Sequence, residues 1–466
     1  MLVAAVPLPT YNQVTKHNLV QMQPLIVLLL KQAAFIALDA EFTGLGHNMA
    51  ATRASDIQDR YQHLCGLARS HALVAFGLSI FIKDQSSSSA SDTDQTDGTT
   101  SSQHVYNVHN FNFSMLSETD YAVSPRSMIF LAENGLDLNQ WIMEGIPYSG
   151  GDRQANDGGR GNSNGIMRSI FKRIMTRQVP VVVHNGFLDL IFLYHSFYAA
   201  LPPKLGTFVA DLSDMFPAGL YDTKYISDYI TRERSSFLAY LYRKYERDDL
   251  CARDADDPSS LKKSFSTFKV QPRLSLPTVE DKVIPETELL EGQVAFCQDY
   301  AFHGVCKKNM RCGKSHDLDL ILDAEEEQRD SKKRKKQKRR HDTRETGDGA
   351  EALSEKSEGA SSEAPAITAG TNEAKTATTT AMPAPMTSIA RTAENVVQPG
   401  EKFHSAYFDA FMTGTIFSHQ LNQHTLELIE GQAKSKIYLI GKNFPLMVEK
   451  SAFSKYSAEH ERQRAL

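Results

Sequence analysis

The chain has 466 residues, with 51 Lys and Arg against 56 Asp and Glu, and a formal net charge of −5. That length accommodates a full catalytic domain with appendages, and the slightly acidic balance excludes a protein that grips nucleic acid through overall charge, leaving only local basic surfaces for that purpose. Five cysteines in so long a chain exclude a disulfide-stapled secreted scaffold and fit a reducing compartment.

Residues 18–32 have helical apolar spacing. The run Pro24 to Leu30 inside them is too short to span a bilayer, so it reads as a helix face packed on a sheet, with no membrane association expected. Residues 35–41 read as a buried strand carrying Asp39 and Glu41. Positions i and i+2 of a strand project to one face, so both carboxylates are expected in one site, with Gly44 and Gly46 allowing a sharp turn behind them. Strands are expected at 72–82 and 105–113, joined through a Ser/Asp/Thr-rich tip at 84–103, and a helix at 136–145. A Gly/Asn/Asp loop spans 149–165, and a helix is expected at 165–177. Residues 180–184 read as a strand, Asn185-Gly186 as a turn, and 187–200 as a helix with Asp189 in its first turn. One more helix is expected at 224–246.

The next signal is Cys297, Cys306, Cys312 and His316, spaced x8, x5 and x3. Three thiolates and an imidazole complete a tetrahedral structural zinc site with no open position, and a loop this small draws most of its folding energy from the metal. Tyr300 and Phe302 are placed to stack on bases, and Lys307, Lys308, Arg311 and Lys314 to meet phosphates of single-stranded RNA. Cys65 and Cys251 read as ordinary thiols. The run Lys332 to Arg340 reads as a nuclear import signal that engages the import machinery. Residues 343–400 are rich in Ala, Thr, Ser, Glu and Gly and read as a disordered linker. Beyond it, His404 and Asp409 open a helix expected at 406–420, and a last strand is expected at 436–441.

Taken singly these acids have ordinary explanations: Asp189, for example, favours a helix N-terminus electrostatically. Together, Asp39, Glu41, Asp189 and Asp409 with His404 are the set a two-magnesium phosphodiester hydrolase needs. Carboxylates and substrate phosphate complete the shell of Mg2+, two such ions clamp an in-line displacement, and a near-neutral histidine takes a proton from the attacking water.

The order and context of these blocks resemble the DEDDh 3′-to-5′ exonucleases. Phe130 to Asn139, Gly145 to Tyr148 and Leu220 to Ile226 narrow the resemblance to the PARN-like deadenylases, over residues 15–230 and 400–450. With a CCCH finger and a basic run between the halves, the chain is similar to the nuclear zinc-finger branch of that family, the target of Egr branch. The resemblance implies an α/β, RNase H-like nuclease fold: a mixed sheet flanked by helices, interrupted by the inserted finger and a disordered linker. The division expected is nuclease core at 1–250, finger at 290–320, nuclear localisation segment at 330–342, linker at 343–400 and nuclease core again at 401–450, with about 250 to 400 inserted into one domain. It further implies a magnesium-dependent enzyme that removes 3′-terminal, adenosine-rich nucleotides from nuclear RNA such as small nuclear RNA. Its address would be the nucleus, with subnuclear bodies as the finer location.

One departure stands out. The family carries glycine where this chain has Tyr407, and a glycine needing positive φ or close approach would make tyrosine a strain on the loop holding His404. That departure supports the competing reading, a catalytically weak RNA-binding adaptor that works through its finger and basic segment. A DNA exonuclease of the same chemistry is a third reading.

Overall fold

The computed structural model describes residues 9–45, 54–84, 103–151, 163–253, 265–274, 296–306, 312, 314–326, 329, 404–424 and 426–464. The basic run at 332–340, the linker at 343–400 and residues 85–102 of the expected tip lie outside them. Residues 1–285, 289–322 and 401–466 form one compact unit, and 286–288 with 323–400 a second. The sheet, the acidic residues and the four zinc-type residues all belong to the first unit.

The fold is α/β, with a ten-stranded mixed sheet. In chain order its strands are β1 (Asn12–Val14), β2 (Phe35–Phe42), β3 (Leu73–Lys83), β4 (Gln103–Ser117), β5 (Ile146–Tyr148), β6 (Val181–Val183), β7 (Leu220–Asp222), β8 (Phe265–Val270), β9 (Lys436–Ile437) and β10 (Leu446–Met447). The path runs β1-β4-β3-β2-β6-β7-β9-β10, and the long β4 also pairs with β5 and β8. β2 is antiparallel to β3 and parallel to β6.

β2 sends its even and odd positions to different cores. Ile36, Leu38, Ala40 and Phe42 join the cluster beneath the first helix, Leu19–Gln32. That helix buries Leu19, Met22, Ile26 and Leu30, the packing expected of its apolar run. Phe35 and Ala37 join a second cluster with Phe408, Phe411, Met412, Ile416 and Phe417 of the third-block helix, Ala406–Gln423. Burying a side chain of this size contributes roughly 1.5–3 kcal/mol, which fixes the strand register. Asp39 and Glu41 continue the odd series and therefore face the start of the third-block helix.

Several elements differ from expectation. The single helix at 224–246 is broken: helical turns at Thr223–Ile230 end before Arg232, whose φ is +55°, and a helix resumes at Leu238–Arg253. The helix at 187–200 is α over Phe187–Leu193 and continues as π over Tyr194–Tyr198. The last strand keeps only Lys436–Ile437, because the Tyr438 N–H turns to the Asp222 carboxylate and Gly441 adopts φ +71°. Phe265–Val270, read as part of an insertion, pairs parallel with Gln103–Val108 as a strand of the sheet. Asp56 caps an unforeseen helix at Ile57–Ser70, accepting from Gln58 and Asp59. Among the described residues no helix is long and apolar enough to cross a membrane.

Candidate active site

The first block, β2, brings Asp39 and Glu41 to one face, and the third-block helix brings Asp409. One ligand oxygen from each lies within 4.8 Å of the others. Their meeting depends on Gly77. It sits opposite Asp39 in the β2–β3 register, and a Cβ there would lie 1.9 Å from the Ala406 carbonyl oxygen. The bare backbone of Gly77 lets the helix start reach the sheet beside Asp39.

Asp189 lies outside that tight set but belongs to its electrostatic field. It stands in the first turn of the Phe187–Leu193 helix. Burial, then the charges of Asp409, Asp189 and Glu41, hold the Asp39 carboxyl well above the usual range. Glu41 is raised by burial and by Asp409 and Asp189. Burial also pushes Asp189 and Asp409 up to about 7 each. Four acids that raise one another's pKa in one buried site are the arrangement that a divalent cation relieves. The residues present therefore fit such an ion.

The Asp189 loop is set by Asp222, a residue of the Leu220 to Ile226 block whose role is not evident from sequence. The buried Asp222 carboxylate accepts from the backbone N–H of Asn185 at 2.9 Å, Gly186 at 3.3 Å, Lys224 at 3.0 Å and Tyr438 at 3.0 Å. It thus ties the turn before Asp189 to β7 and β9. Asn185 takes φ +57° in that turn.

His404 closes the site from the solvent side. About half of its side chain (53%) is exposed, and Nδ1 lies 3.7 Å from Asp409 Oδ2. Loss of water around it lowers its pKa, which favours the neutral, proton-accepting imidazole. The Phe130 ring packs against it at 4.9 Å between centroids. A cavity of about 500 Å³ opens next to it, lined by Glu41, His404 and residues of the Leu131–Asp137 stretch.

The strain expected at Tyr407 is absent. Tyr407 lies in the first turn of the third-block helix, and the left-handed backbone belongs to His404, at φ +76°. The Tyr407 ring stacks on Tyr11 at 3.8 Å between centroids.

The zinc-type residues also converge: Cys297, Cys306, Cys312 and His316 offer ligand atoms within 4.8 Å of one another. His316 Nε2 is buried and has no hydrogen-bond partner among the described residues, as a metal-directed nitrogen would be. The donor set and the orphaned nitrogen fit zinc. Tyr300, expected to stack on bases, has one stacked contact within the protein, on His316 at 4.5 Å. Phe302 is 44% exposed, and Arg234 lies over its ring. Lys307, Lys308 and Arg311 lie outside the described residues.

Parts of the chain are similar to known proteins. The pre-piRNA 3′-exonuclease trimmer of Bombyx mori is 36% identical over 64 residues, 14% of this chain and 12% of that protein. The poly(A)-specific ribonuclease PARN of Danio rerio is 28% identical over 148 residues, 29% of this chain and 20% of that protein. The chain thus spans only a minor part of either relative. The solved S. pombe Pop2p is 17% identical with a TM-score of 0.35, over 51% of this chain and 82% of that one. The CAF1 family ribonuclease model matches residues 14–158 and 152–417, so the chain belongs to the CAF1 ribonuclease family.

Proposed function

We propose that the chain is a divalent-metal-dependent 3′-to-5′ exoribonuclease. The observation that supports it most is the meeting of Asp39 and Glu41 with Asp409, from the far end of the domain, in a member of a ribonuclease family. Cations held by Asp39, Glu41, Asp189 and Asp409 would supply a polarised water and neutralise charge on the scissile phosphate. His404, whose surroundings favour the neutral imidazole, would act as the base that accepts a proton from the attacking water. Asp409 holds the backbone that carries this base, accepting a bond from the His404 backbone N–H. Phe130 limits the swing of the imidazole from its other side. The cavity beside Glu41 and His404 offers the last nucleotide a place next to these groups.

The finer reading is that the metal is magnesium, that the preferred ends are adenosine-rich and that the substrate is nuclear RNA such as small nuclear RNA. Its support is the likeness to PARN and the dense basic run at 332–340, the segment proposed for nuclear import.

The test uses purified full-length protein and 5′-labelled RNAs ending in A, U, C or G tails, with Mg2+ or EDTA. Stepwise metal-dependent shortening from the 3′ end, fastest on A tails, is expected. His404→Ala should lower kcat by about 10²–10⁴-fold. RNA that is retarded yet never cut at any metal concentration would refute the enzyme and leave the adaptor reading.

A further inference from the structure

The segment 231–237 is a break between helices, yet Ser235 and Ser236 in it are only 4% and 8% exposed. Buried serines in a loop need partners, and these partners lie on opposite sides. Outward, the segment meets the finger. The Phe237 ring stands edge-on to Tyr300 at 5.7 Å. Gly304 ends the finger helix at φ +67°, and a Cβ there would lie 2.8 Å from the Phe237 ring. The Ser235 hydroxyl donates to the Phe302 carbonyl at 3.2 Å.

Inward, the same segment meets the second catalytic block. Lys224 Nζ donates to the Ser236 carbonyl at 3.3 Å and to its hydroxyl at 2.6 Å. The backbone N–H of the same Lys224 donates to Asp222, the carboxylate that holds the Asn185-Gly186 turn, and beside it Thr223 Oγ1 lies 2.8 Å from His184 Nδ1. His184 directly precedes the Asn185-Gly186 turn that Asp222 holds and that leads to Asp189.

The finger end of this path depends on its ligand cluster. The finger helix, Gln298–His303, has six residues and is far too short to persist alone. Tyr300 lies between the two sides: it stacks on His316, a member of the cluster, and makes a T-shaped contact with Phe237.

We propose that Ser236 and Phe237 are positioning residues through which the zinc-loaded finger sets the Asp189 loop, so that the finger braces the metal site of the nuclease. This rests on the proposed function for its catalytic readout but not for its metal-binding readout. A finger tethered only to collect RNA would not need adjacent buried serines, one bonded to the finger and the next bonded to Lys224 of the second catalytic block.

The experiment measures Mn2+ binding to the full-length protein by electron paramagnetic resonance, taking Asp409→Ala to define binding outside the acidic cluster. It also measures kcat and KM on a labelled oligo(A). Cys312→Ser removes a zinc ligand. Phe237→Ala leaves all four ligands, and zinc content confirms that the finger is loaded. Both variants are expected to weaken Mn2+ binding and lower kcat by on the order of 10-fold, with KM changed little, and Phe237→Tyr should restore the parent values. A folded, zinc-free Cys312→Ser with parental Mn2+ affinity and kcat overturns the proposal. So does a rise in KM alone, which marks a finger that only binds RNA. If Cys312→Ser does not fold, Phe237→Ala decides. If the parent cuts no RNA, the proposed function falls while the Mn2+ titration still decides the coupling.

Discussion

The backbone N–H of His404 donates to the carboxylate of Asp409 at 3.2 Å. His404 is held there at φ +76°, a left-handed conformation that costs a non-glycine residue on the order of 1–3 kcal/mol. Asp409 therefore does two jobs: it adds charge to the acidic cluster and it holds the strained histidine in place.

Asp409→Asn separates the two. The amide oxygen can still accept from His404, while a negative charge leaves a crowded site. Removing like-charge repulsion should stabilise the metal-free protein by about 1–3 kcal/mol while abolishing RNA shortening. Thermal unfolding in EDTA and a cleavage assay check this. A metal-free variant less stable than the parent would contradict the crowding argument.

The same crowding sets a pH dependence. Asp189 and Asp409 ionise near 7 in the folded protein, against an ordinary value of 3.8. A carboxyl with a raised folded pKa binds its proton more tightly when folded, so its contribution is complete below the ordinary value. That contribution is lost as pH rises through the folded value. Metal-free protein should therefore lose several kcal/mol as pH rises from about 4 to about 7. Saturating Mg2+ or Mn2+ should reverse the loss, because the cation takes over from the protons. Unfolding curves across pH, with and without metal, test it; a metal-free protein that is equally stable throughout removes the basis for the charge cluster.

The acids of β2 were legible because strand periodicity puts Asp39 and Glu41 on one face whatever else the chain does. The helix at Ile57–Ser70 was equally legible, through Asp56 as its cap and buried Tyr61, Leu64, Cys65 and Ala68 at helical spacing, but its polar composition hid it. What could not be read was the support that acts across distant segments. Gly77 looks like any strand glycine until Ala406 is placed against it. Asp222 looks like one helix cap until Asn185 and Tyr438 turn out to share it. The strand at Val181–Val183 falls within the expected 180–184, but its pairing with β2 on one side and β7 on the other was not legible. The break at 231–237 belongs to the same class, since Ser235 bonds to the finger and Ser236 to Lys224.

Gly77 offers a direct test of that long-range dependence. Gly77→Ala should cost about 1–3 kcal/mol through overpacking. It should also lower kcat by about 10²-fold, because the helix start carrying Asp409 must shift by a fraction of the clash. Gly66 is the control: it lies inside the Ile57–Ser70 helix, and a Cβ there meets nothing within 4 Å. Gly66→Ala should stabilise by up to about 1 kcal/mol and leave activity unchanged. Equal effects at the two positions would mean that the Ala406 approach is not what places Asp409.

Tyr407 carries the last prediction, because here the family glycine and this chain disagree. Restoring glycine looks corrective from sequence alone. In the structure, however, Tyr407 is helical and only 7% exposed, and its ring stacks on Tyr11. The Arg273 guanidinium in turn lies 5.5 Å over the Tyr11 ring. Tyr407→Gly removes a buried aromatic and a stacked pair and adds glycine to a helix. Together these cost about 3–5 kcal/mol. It also frees the segment entering β1 from the helix that carries Asp409, so kcat per folded molecule should fall rather than rise. Tyr407→Phe keeps the stack and should cost less than about 1 kcal/mol. Unfolding curves and single-turnover rates for the two variants decide the matter. A Tyr407→Gly protein as stable as the parent and faster on RNA would show that tyrosine at this position hinders the site and that the stack with Tyr11 contributes nothing to it.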